Sequence, residues 1–416
     1  MENSNNNKMK VLQVLDTYFP SWDGPTLLVN NYAKCMTKRG DTHVEIVVPK
    51  YPKYEDIDPF TVHRIISMPV AESYRTVLPF LQNKTRKIID SEEHFDIIHC
   101  HSPFMLSQHM LKLAKKRNIP SVITLHTRYH EDFDRVLPKF LRKPALALIM
   151  KAFKLADYVV CVSDGTVDTL REYGYKGEVK VIRNGTDLKF PENHQELRDK
   201  IIEKEKLEKD VPVFLSVGRI VENKKLDTPL SALKILKDQG YKFKYLIVGE
   251  GTYEDKLKAK VKKMGLDDMV RFTEKIMDRS ELTGYYLASD VFLFPSTFDT
   301  ASLAPIEAAA NKLPSLMNRH CSTAEIITDD RNGYLAEESP EAWAERIKQI
   351  IEDREKLKEV KELAYKEVYR SWDSVVDEVR DYYSYIIQEW KEKALKKETK
   401  TKKPKVKKVK KAKSNI

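Results

Sequence analysis

Residues 290–295, DVFLFP, and 296–310, STFDTASLAPIEAAA, decide how the rest of the chain is read. A short, continuous apolar run that ends at a turn reads as a strand buried on both faces. The small residues after it read as a helix, with Pro305 in the first turn, where its missing amide is harmless. The amides of Ala301, Ser302 and Leu303 are expected among the first helix donors, unsatisfied within the helix. Such an end carries partial positive charge and suits a phosphate. Two carboxylates flank the turn. Glu307 lies about one turn into the helix, placed to accept hydrogen bonds from a polyol, and Asp299 can reach the same ligand from another side. Taken alone, a turn residue and a solvated helix carboxylate explain this pair equally well.

The same alternation extends outward. VFLSVG at 213–218, KYLIVGEG at 244–251, MVRFTE at 269–274 and LPSLM at 313–317 read as strands between helices. An earlier set does likewise: VLQVL at 11–15, HVEIVV at 43–48, DIIHCH at 96–101, SVITLH at 121–126, DYVVCV at 157–162 and VKVI at 179–182. A helix from Thr26 to Arg39 is stopped by Gly40. Strands alternating with helices specify an α/β class with parallel sheets covered on both faces. The expected architecture is two Rossmann-like, doubly wound parallel-sheet domains facing a central cleft, over residues 9–190 and 191–370. The charged stretch 191–210 shows no apolar core face and is placed at the junction. Residues 1–8 are expected to be disordered. An amphipathic helix over 371–395 is expected to pack back towards the first domain, and the Lys-rich segment 396–416 to be disordered.

Composition narrows the function classes. The chain has 416 residues, enough for two domains of ordinary size. Its net charge of +10 belongs to the end of the chain: residues 391–416 hold thirteen lysines and two glutamates, +11, which leaves −1 for everything before. Specific nucleic-acid recognition is therefore not expected. No run approaches the roughly twenty apolar residues of a membrane span, and MENSNNNKMK lacks the apolar centre of a secretory signal. The location this predicts is cytoplasmic; a peripheral position on the inner face of the membrane is an alternative that rests on two basic segments, residues 137–157 and the Lys-rich tail. Cys35, Cys100, Cys161 and Cys321 are far apart, with no CxxC pair, and read as free thiols. No metal site is expected. His99, Cys100 and His101 alternate faces on a strand, and the acid triplets Asp56-Ile57-Asp58 and Asp132-Phe133-Asp134 do not directly follow apolar strands and read as surface acids.

A second segment raises the functional reading above the bland one. SVGRIVENKKLD at 216–227 is a strand, a glycine that permits a tight turn, then Arg219 and, five residues on, Lys224. Two cations beyond a strand end can hold a diphosphate, Arg through its fork and Lys as a point charge.

In order, SVGRIVENK, LIVGEG, DVFLFPSTFDTASLAPIEAAA and NGYL resemble the C-terminal domain of the retaining GT-B glycosyltransferases of family 4. LDTYFPSWDGPTLLVNNYA, DIIHCHSPF, ITLHTRYHEDF and VIRNGTD resemble segments of its N-terminal domain, so the likeness spans roughly residues 9–390. The resemblance implies transfer of a hexose from a UDP- or GDP-linked sugar to a sugar or lipid-linked acceptor, without cofactor or metal. It implies that Glu307 holds the ribose hydroxyls, Asp299 contacts the donor sugar, and Ser302 and Leu303 touch the donor. It further implies that Arg219 and Lys224 clamp the diphosphate, that Gly24 lies near the phosphates, and that His126 lies near the transferred sugar. Asp299 stands where the family usually has Glu, Ser107 where relatives often have Gly, and 318–322 lacks an expected Gly. The alternative function is a catalytically inactive GT-B protein serving as a binding or partner subunit. Residues 137–157 mix four Lys and one Arg with large apolar residues; a membrane-surface helix and a core-packed helix with solvated lysines are equally compatible with them. The Lys-rich tail is a second candidate contact with anionic lipid.

Overall fold

The computed structural model describes residues 8–21, 23–71, 74–77, 82–91 and 94–401. The first half runs β1 (Met9–Val14), α1 (Gly24–Arg39), β2 (Thr42–Pro49), β3 (Thr61–Ile65), β4 (Ser67–Ala71), β5 (Tyr74–Val77), α2 (Gln82–Ile89), β6 (Ile97–Cys100), α3 (Met105–Arg117), β7 (Ser121–Leu125), α4 (Tyr129–Val136), α5 (Lys139–Leu155), β8 (Tyr158–Cys161), α6 (Asp164–Glu172) and β9 (Lys180–Val181). The second runs α7 (His194–Glu205), β10 (Val213–Val217), α8 (Asp227–Asp238), β11 (Lys244–Val248), α9 (Glu254–Lys263), β12 (Val270–Thr273), α10 (Arg279–Leu287), β13 (Val291–Phe294), α11 (Ala304–Ala310), β14 (Ser315–Asn318), β15 (Tyr334–Ala336), α12 (Pro340–Glu352), α13 (Arg354–Glu367) and α14 (Trp372–Thr401).

The first sheet is ordered β3-β2-β1-β6-β7-β8-β9 and the second β12-β11-β10-β13-β14-β15, with a separate β4-β5 hairpin. All neighbouring strands in the two large sheets are parallel. In each sheet the chain starts in the middle, winds to one edge, then crosses back to build the other side. The strand order reverses between β1 and β6 and between β10 and β13, which opens a crevice at the carboxyl ends of each pair.

The opening stretch shows why these strands form. Val291 and Leu293 of β13 face a core that holds Trp343, and Phe292 and Phe294 face the opposite core with Tyr285 and Tyr286. Alternate side chains point to opposite faces, so with helices on both sides every β13 position is buried and apolar. The first sheet is covered the same way, and one of its covers comes from the end of the chain. Trp372, Val375, Val376, Val379, Tyr383 and Ile386 of α14 join Val11, Leu15 and Tyr32 in one core. The return path is tight: Thr186 N–H donates to Arg370 O at 2.8 Å and Trp372 N–H to Thr186 O at 3.1 Å. A Cβ on Gly185 would lie 2.9 Å from the Ser371 backbone, so only glycine allows the approach.

Several sequence expectations change. Residues 191–210 do have a core face: Ile201 is buried in α7, which packs on α10 so closely that a Cβ on Gly284 would lie 2.8 Å from Leu197 O. One buried isoleucine is too narrow a stripe to show in the pattern. Helix α1 begins at Gly24, two residues before the predicted start, because Asp23 accepts from Thr26 N–H and Pro25 occupies the first turn. Edge strands β3 and β15 and the β4-β5 hairpin are not among the strands expected from sequence; β3, TVHRI, is largely half-buried, buries only Ile65 fully and carries no apolar run. Helix α14 continues to Thr401, past residue 396 where disorder is predicted to begin. The rest of that tail and residues 1–7 lie outside the described residues.

Candidate active site

The loop after β10 starts at Gly218, whose φ of 146° requires glycine. Arg219 follows, exposed and without an ion-pair partner among the described residues. A single 3-10 turn, Glu222–Lys224, then brings Lys224 back to the crevice. Its Nζ lies 2.7 Å from both Asp299 carboxylate oxygens and 5.9 Å from the Phe294 ring centroid. Arg219, Lys224, Pro295 and Ser296 line one crevice at the β10-β13 reversal. The fold thus joins residues 75 positions apart in sequence, and the shorter Asp at position 299 still meets the lysine squarely.

The acidic loop also carries the contact between halves. Thr300 Oγ1 donates to His126 O at 2.7 Å, Asn184 Nδ2 donates to Ala301 O at 2.9 Å, and Leu303 packs against the first-sheet core. Ser302 lies between them, half-buried. Helix α11 begins at Ala304, so the amides of Ala301, Ser302 and Leu303 precede the helix rather than open it, a correction to the sequence-based placement. These residues are held in a connecting segment that reaches towards the other half, and the helix starts once that contact is made.

Glu307 is not a solvated helix carboxylate. Its side chain is 13 % exposed; Oε1 accepts from Arg279 Nη2 at 2.9 Å and Oε2 from the Tyr286 hydroxyl at 3.0 Å. Arg279 also pairs with Asp187. Burial alone would lower the Arg279 pKa, but Glu307 and Asp187 carry it upward. Burial, then Glu307, push the Tyr286 hydroxyl well above its ordinary value, so it remains a donor. Sequence reasoning missed Arg279 and Tyr286; their seven-residue offset is ordinary helical spacing and gives no signal by itself.

At the reversal of the first sheet, Gly24 opens α1, with nothing within 4 Å of where its Cβ would be. Asp16, buried, accepts from the hydroxyls of Ser102 and Ser107 at 2.7 and 2.8 Å and from the amides of Leu106 and Ser107. Ser107, where glycine was expected, therefore satisfies a buried acid. Asn318 works similarly in the other glycine-poor loop: its amide donates to Pro295 O and accepts from Trp343 Nε1. His126 directly follows β7 and is 8 % exposed. Burial pushes its pKa down from 6.5 to about 3, so the ring is neutral. Its Nε2 lies 3.2 Å from His101 Nδ1. Cys100 faces away and contacts Ser107 O, while the rings of His99 and His101 share one face, 3.9 Å apart.

The acid triplets are occupied by their own neighbours. Asp56 pairs with Arg64 at 2.5 Å, Asp58 accepts from Asn30 at 2.9 Å, and Asp134 pairs with Arg142 at 2.7 Å. Helix α5 buries Ile149, Met150, Ala152 and Phe153 and exposes Phe140, Leu141 and Leu148 beside Lys139 and Lys143. It is therefore core-packed on one side and apolar as well as basic on the other. Among the described residues no helix is long and apolar enough to cross a membrane.

Two family models tile the chain: Glycosyltransferase Family 4 over residues 22–190 and Glycosyl transferases group 1 over residues 197–367. The chain is 27% identical over 342 residues to alpha-monoglucosyldiacylglycerol synthase of Streptococcus pneumoniae, covering 79% of this chain and 75% of that one. It is 25% identical over 359 residues to the alpha-monoglucosyldiacylglycerol synthase of Acholeplasma laidlawii, covering 82% and 87%. Among solved structures, Anabaena HepE in complex with UDP superposes with a TM-score of 0.71 at 18% identity, covering 91% of this chain and 100% of that one.

Proposed function

The chain belongs to the GT-B glycosyltransferases of family 4, and we propose that it moves a hexose from a UDP- or GDP-linked sugar to a sugar or lipid-linked acceptor hydroxyl, with retention at the anomeric carbon and without a metal ion. The observation that carries this is the meeting of Lys224 and Asp299 at the β10-β13 reversal, with Arg219 beside them and without an ion-pair partner among the described residues. A pyrophosphate entering that crevice takes up both cations; Lys224 turns from Asp299 to the phosphates, and Asp299 becomes available to the sugar.

In the transfer, the bond from the anomeric carbon to the phosphate oxygen breaks, and Arg219 and Lys224 stabilise the charge that develops on the leaving diphosphate. The acceptor hydroxyl attacks from the same face, and its proton passes to the departing phosphate oxygen. Glu307, oriented by Arg279 and Tyr286, accepts from the ribose hydroxyls. His126, neutral and at the contact between halves, positions the sugar. The two cations supply the charge neutralisation that a divalent ion would otherwise provide, and the acid triplets are engaged with Arg64, Asn30 and Arg142. The exposed face of α5 (Phe140, Leu141, Leu148, Lys139, Lys143) suits the surface of an anionic bilayer, which supports a lipid-linked acceptor.

Incubation with UDP- and GDP-linked hexoses and diacylglycerol or monoglycosyl lipid in vesicles tests the proposal. Nucleotide release with a new glycolipid of retained anomeric configuration, unchanged by EDTA, is expected. Binding of nucleotide sugar without release across the panel would point to the inactive alternative instead.

A further inference from the structure

A polar stripe crosses the face of the first sheet under α14, and the transfer chemistry above leaves most of it unused. Gln13 of β1, His99 and His101 of β6, Thr124 of β7 and His126 directly after it, and Tyr383 of α14 are all buried. They form a continuous chain. His126 Nε2 meets His101 Nδ1 at 3.2 Å, and His101 Nε2 meets Gln13 Oε1. Gln13 Nε2 donates to the Tyr383 hydroxyl at 3.4 Å, that hydroxyl meets His99 Nδ1 at 2.5 Å, and His99 Nε2 meets Thr124 Oγ1 at 2.7 Å. Interior polar groups are ordinarily paired; this chain has an open end. His126 Nδ1 makes no hydrogen bond among the described residues and is not one of the sealed, unpaired polar atoms.

We propose that Tyr383 is a positioning residue for the transfer: through His99, Gln13 and His101 it fixes the proton of His126 on Nε2 and leaves Nδ1 as an acceptor for a donor-sugar hydroxyl. The proposal rests on the reading that places His126 beside the transferred sugar.

The argument is one of donor and acceptor parity. A phenol has one proton, and a bare imidazole nitrogen accepts it better than an amide oxygen does, so it goes to His99 Nδ1 and the phenol oxygen accepts the longer bond from the Gln13 amide. That orients Gln13 with Oε1 towards His101. A carbonyl oxygen only accepts, so His101 Nε2 carries a proton. In a neutral imidazole the other nitrogen is then bare, so His101 Nδ1 accepts from His126 Nε2–H, and His126 Nδ1 is bare in turn. Turning the Gln13 amide over would reverse each bond and move the His126 proton to Nδ1. Without the Tyr383 hydroxyl, nothing in the chain prefers one direction. Burial holds His99 and His126 at about 3 and His101 well below its ordinary value, so all three rings are neutral near pH 7, as the parity requires. Tyr383 follows the second half of the chain in sequence yet completes a network in the first.

The test uses the full chain labelled with 15N-histidine, with His126→Gln to assign the ring signals. In the unsubstituted protein Nε2 is protonated and Nδ1 bare. In Tyr383→Phe both forms appear, and kcat for nucleotide release from UDP-glucose falls by up to about a hundredfold, the order for a misplaced substrate, while KM for UDP-glucose holds. Gln13→Met, which breaks the chain with the tyrosine in place, gives the same mixture; Tyr385→Phe, on the exposed side of α14, changes neither readout. Unchanged His126 signals in both Tyr383→Phe and Gln13→Met, or a protonated Nδ1 in the unsubstituted protein, overturn the proposal. Full turnover in His126→Ala with the tautomer shift present would instead remove the underlying role of His126 and leave the proton ordering standing.

Discussion

The crevice of the second sheet is lined with charge near water: Arg219 exposed, Lys224 and Asp299 about one-fifth exposed and paired. The matching region of the first sheet is under cover: His126, His101 and Gln13 are neutral, and a buried acid, Asp16, is held by the hydroxyls of Ser102 and Ser107. The two sheets share a winding pattern, so the difference lies in their side chains and covering elements. A charge can wait for its ligand only where water still solvates it or a counter-ion holds it. Neutral amides and imidazoles can be buried outright, provided each hydrogen bond is made. On the proposed reading, one half receives an anion and the other holds an uncharged sugar in a fixed orientation.

The largest expected effect comes from removing the charge of the second half. Lys224→Ala should lower the rate of nucleotide release about 10²–10³-fold, the range for a lost stabiliser of developing negative charge; initial rates with UDP-glucose give the number. A rate within a few-fold of the parent would mean that the paired lysine has no part in catalysis.

Acid should separate the halves. With folded-state pKa values near 3 for His99 and His126 against an ordinary 6.5, the unfolded chain binds protons that the native chain does not. Their neutral burial therefore favours the fold fully above pH 6.5, and that contribution is lost progressively as pH falls towards 3. Hydrogen exchange at pH 7 and pH 5 should show amides of β1, β6 and β7 losing protection before those of β10 and β13. Equal loss in both sheets would contradict the contrast.

Two smaller effects sharpen it. Tyr286→Phe leaves one Glu307 oxygen without its donor and should reduce stability by about 1–3 kcal/mol, read by urea unfolding. Glu325 accepts from the Asp164 and Gly165 amides at 3.0 Å each, capping α6 from across the interface. Glu325→Ala should remove about 1 kcal/mol, visible as faster exchange at the start of α6 and little change elsewhere.

Much of this arrangement could be read in advance, for a physical reason. The central strands are buried on both faces, so DVFLFP and VFLSVG stand out as apolar runs. Edge strand β3 is half-buried and mixes polar with apolar residues, the hairpin is short, and α7 buries one isoleucine, so these carry little pattern. Arg219, Lys224, Asp299 and Glu307 stand at loop and helix-start positions where charge draws notice. Arg279, Tyr286 and Tyr383 sit within ordinary amphipathic helices, and only the packing of those helices brings them to Glu307 and the histidines. The spacing around Ala301–Leu303 suggested an earlier helix start because the contact with His126 is invisible along the chain.

The most direct test of the central claim is the affinity of uridine, UMP and UDP, measured by calorimetry for the parent chain, Lys224→Ala and Glu307→Ala, with the guanosine series in parallel. The account predicts that Lys224→Ala removes most of the gain from UMP to UDP, whereas Glu307→Ala weakens all three ligands by a similar factor. Equal losses from both substitutions across the series, or an unchanged gain from UMP to UDP in Lys224→Ala, would contradict a division between a pyrophosphate clamp and a ribose-holding acid.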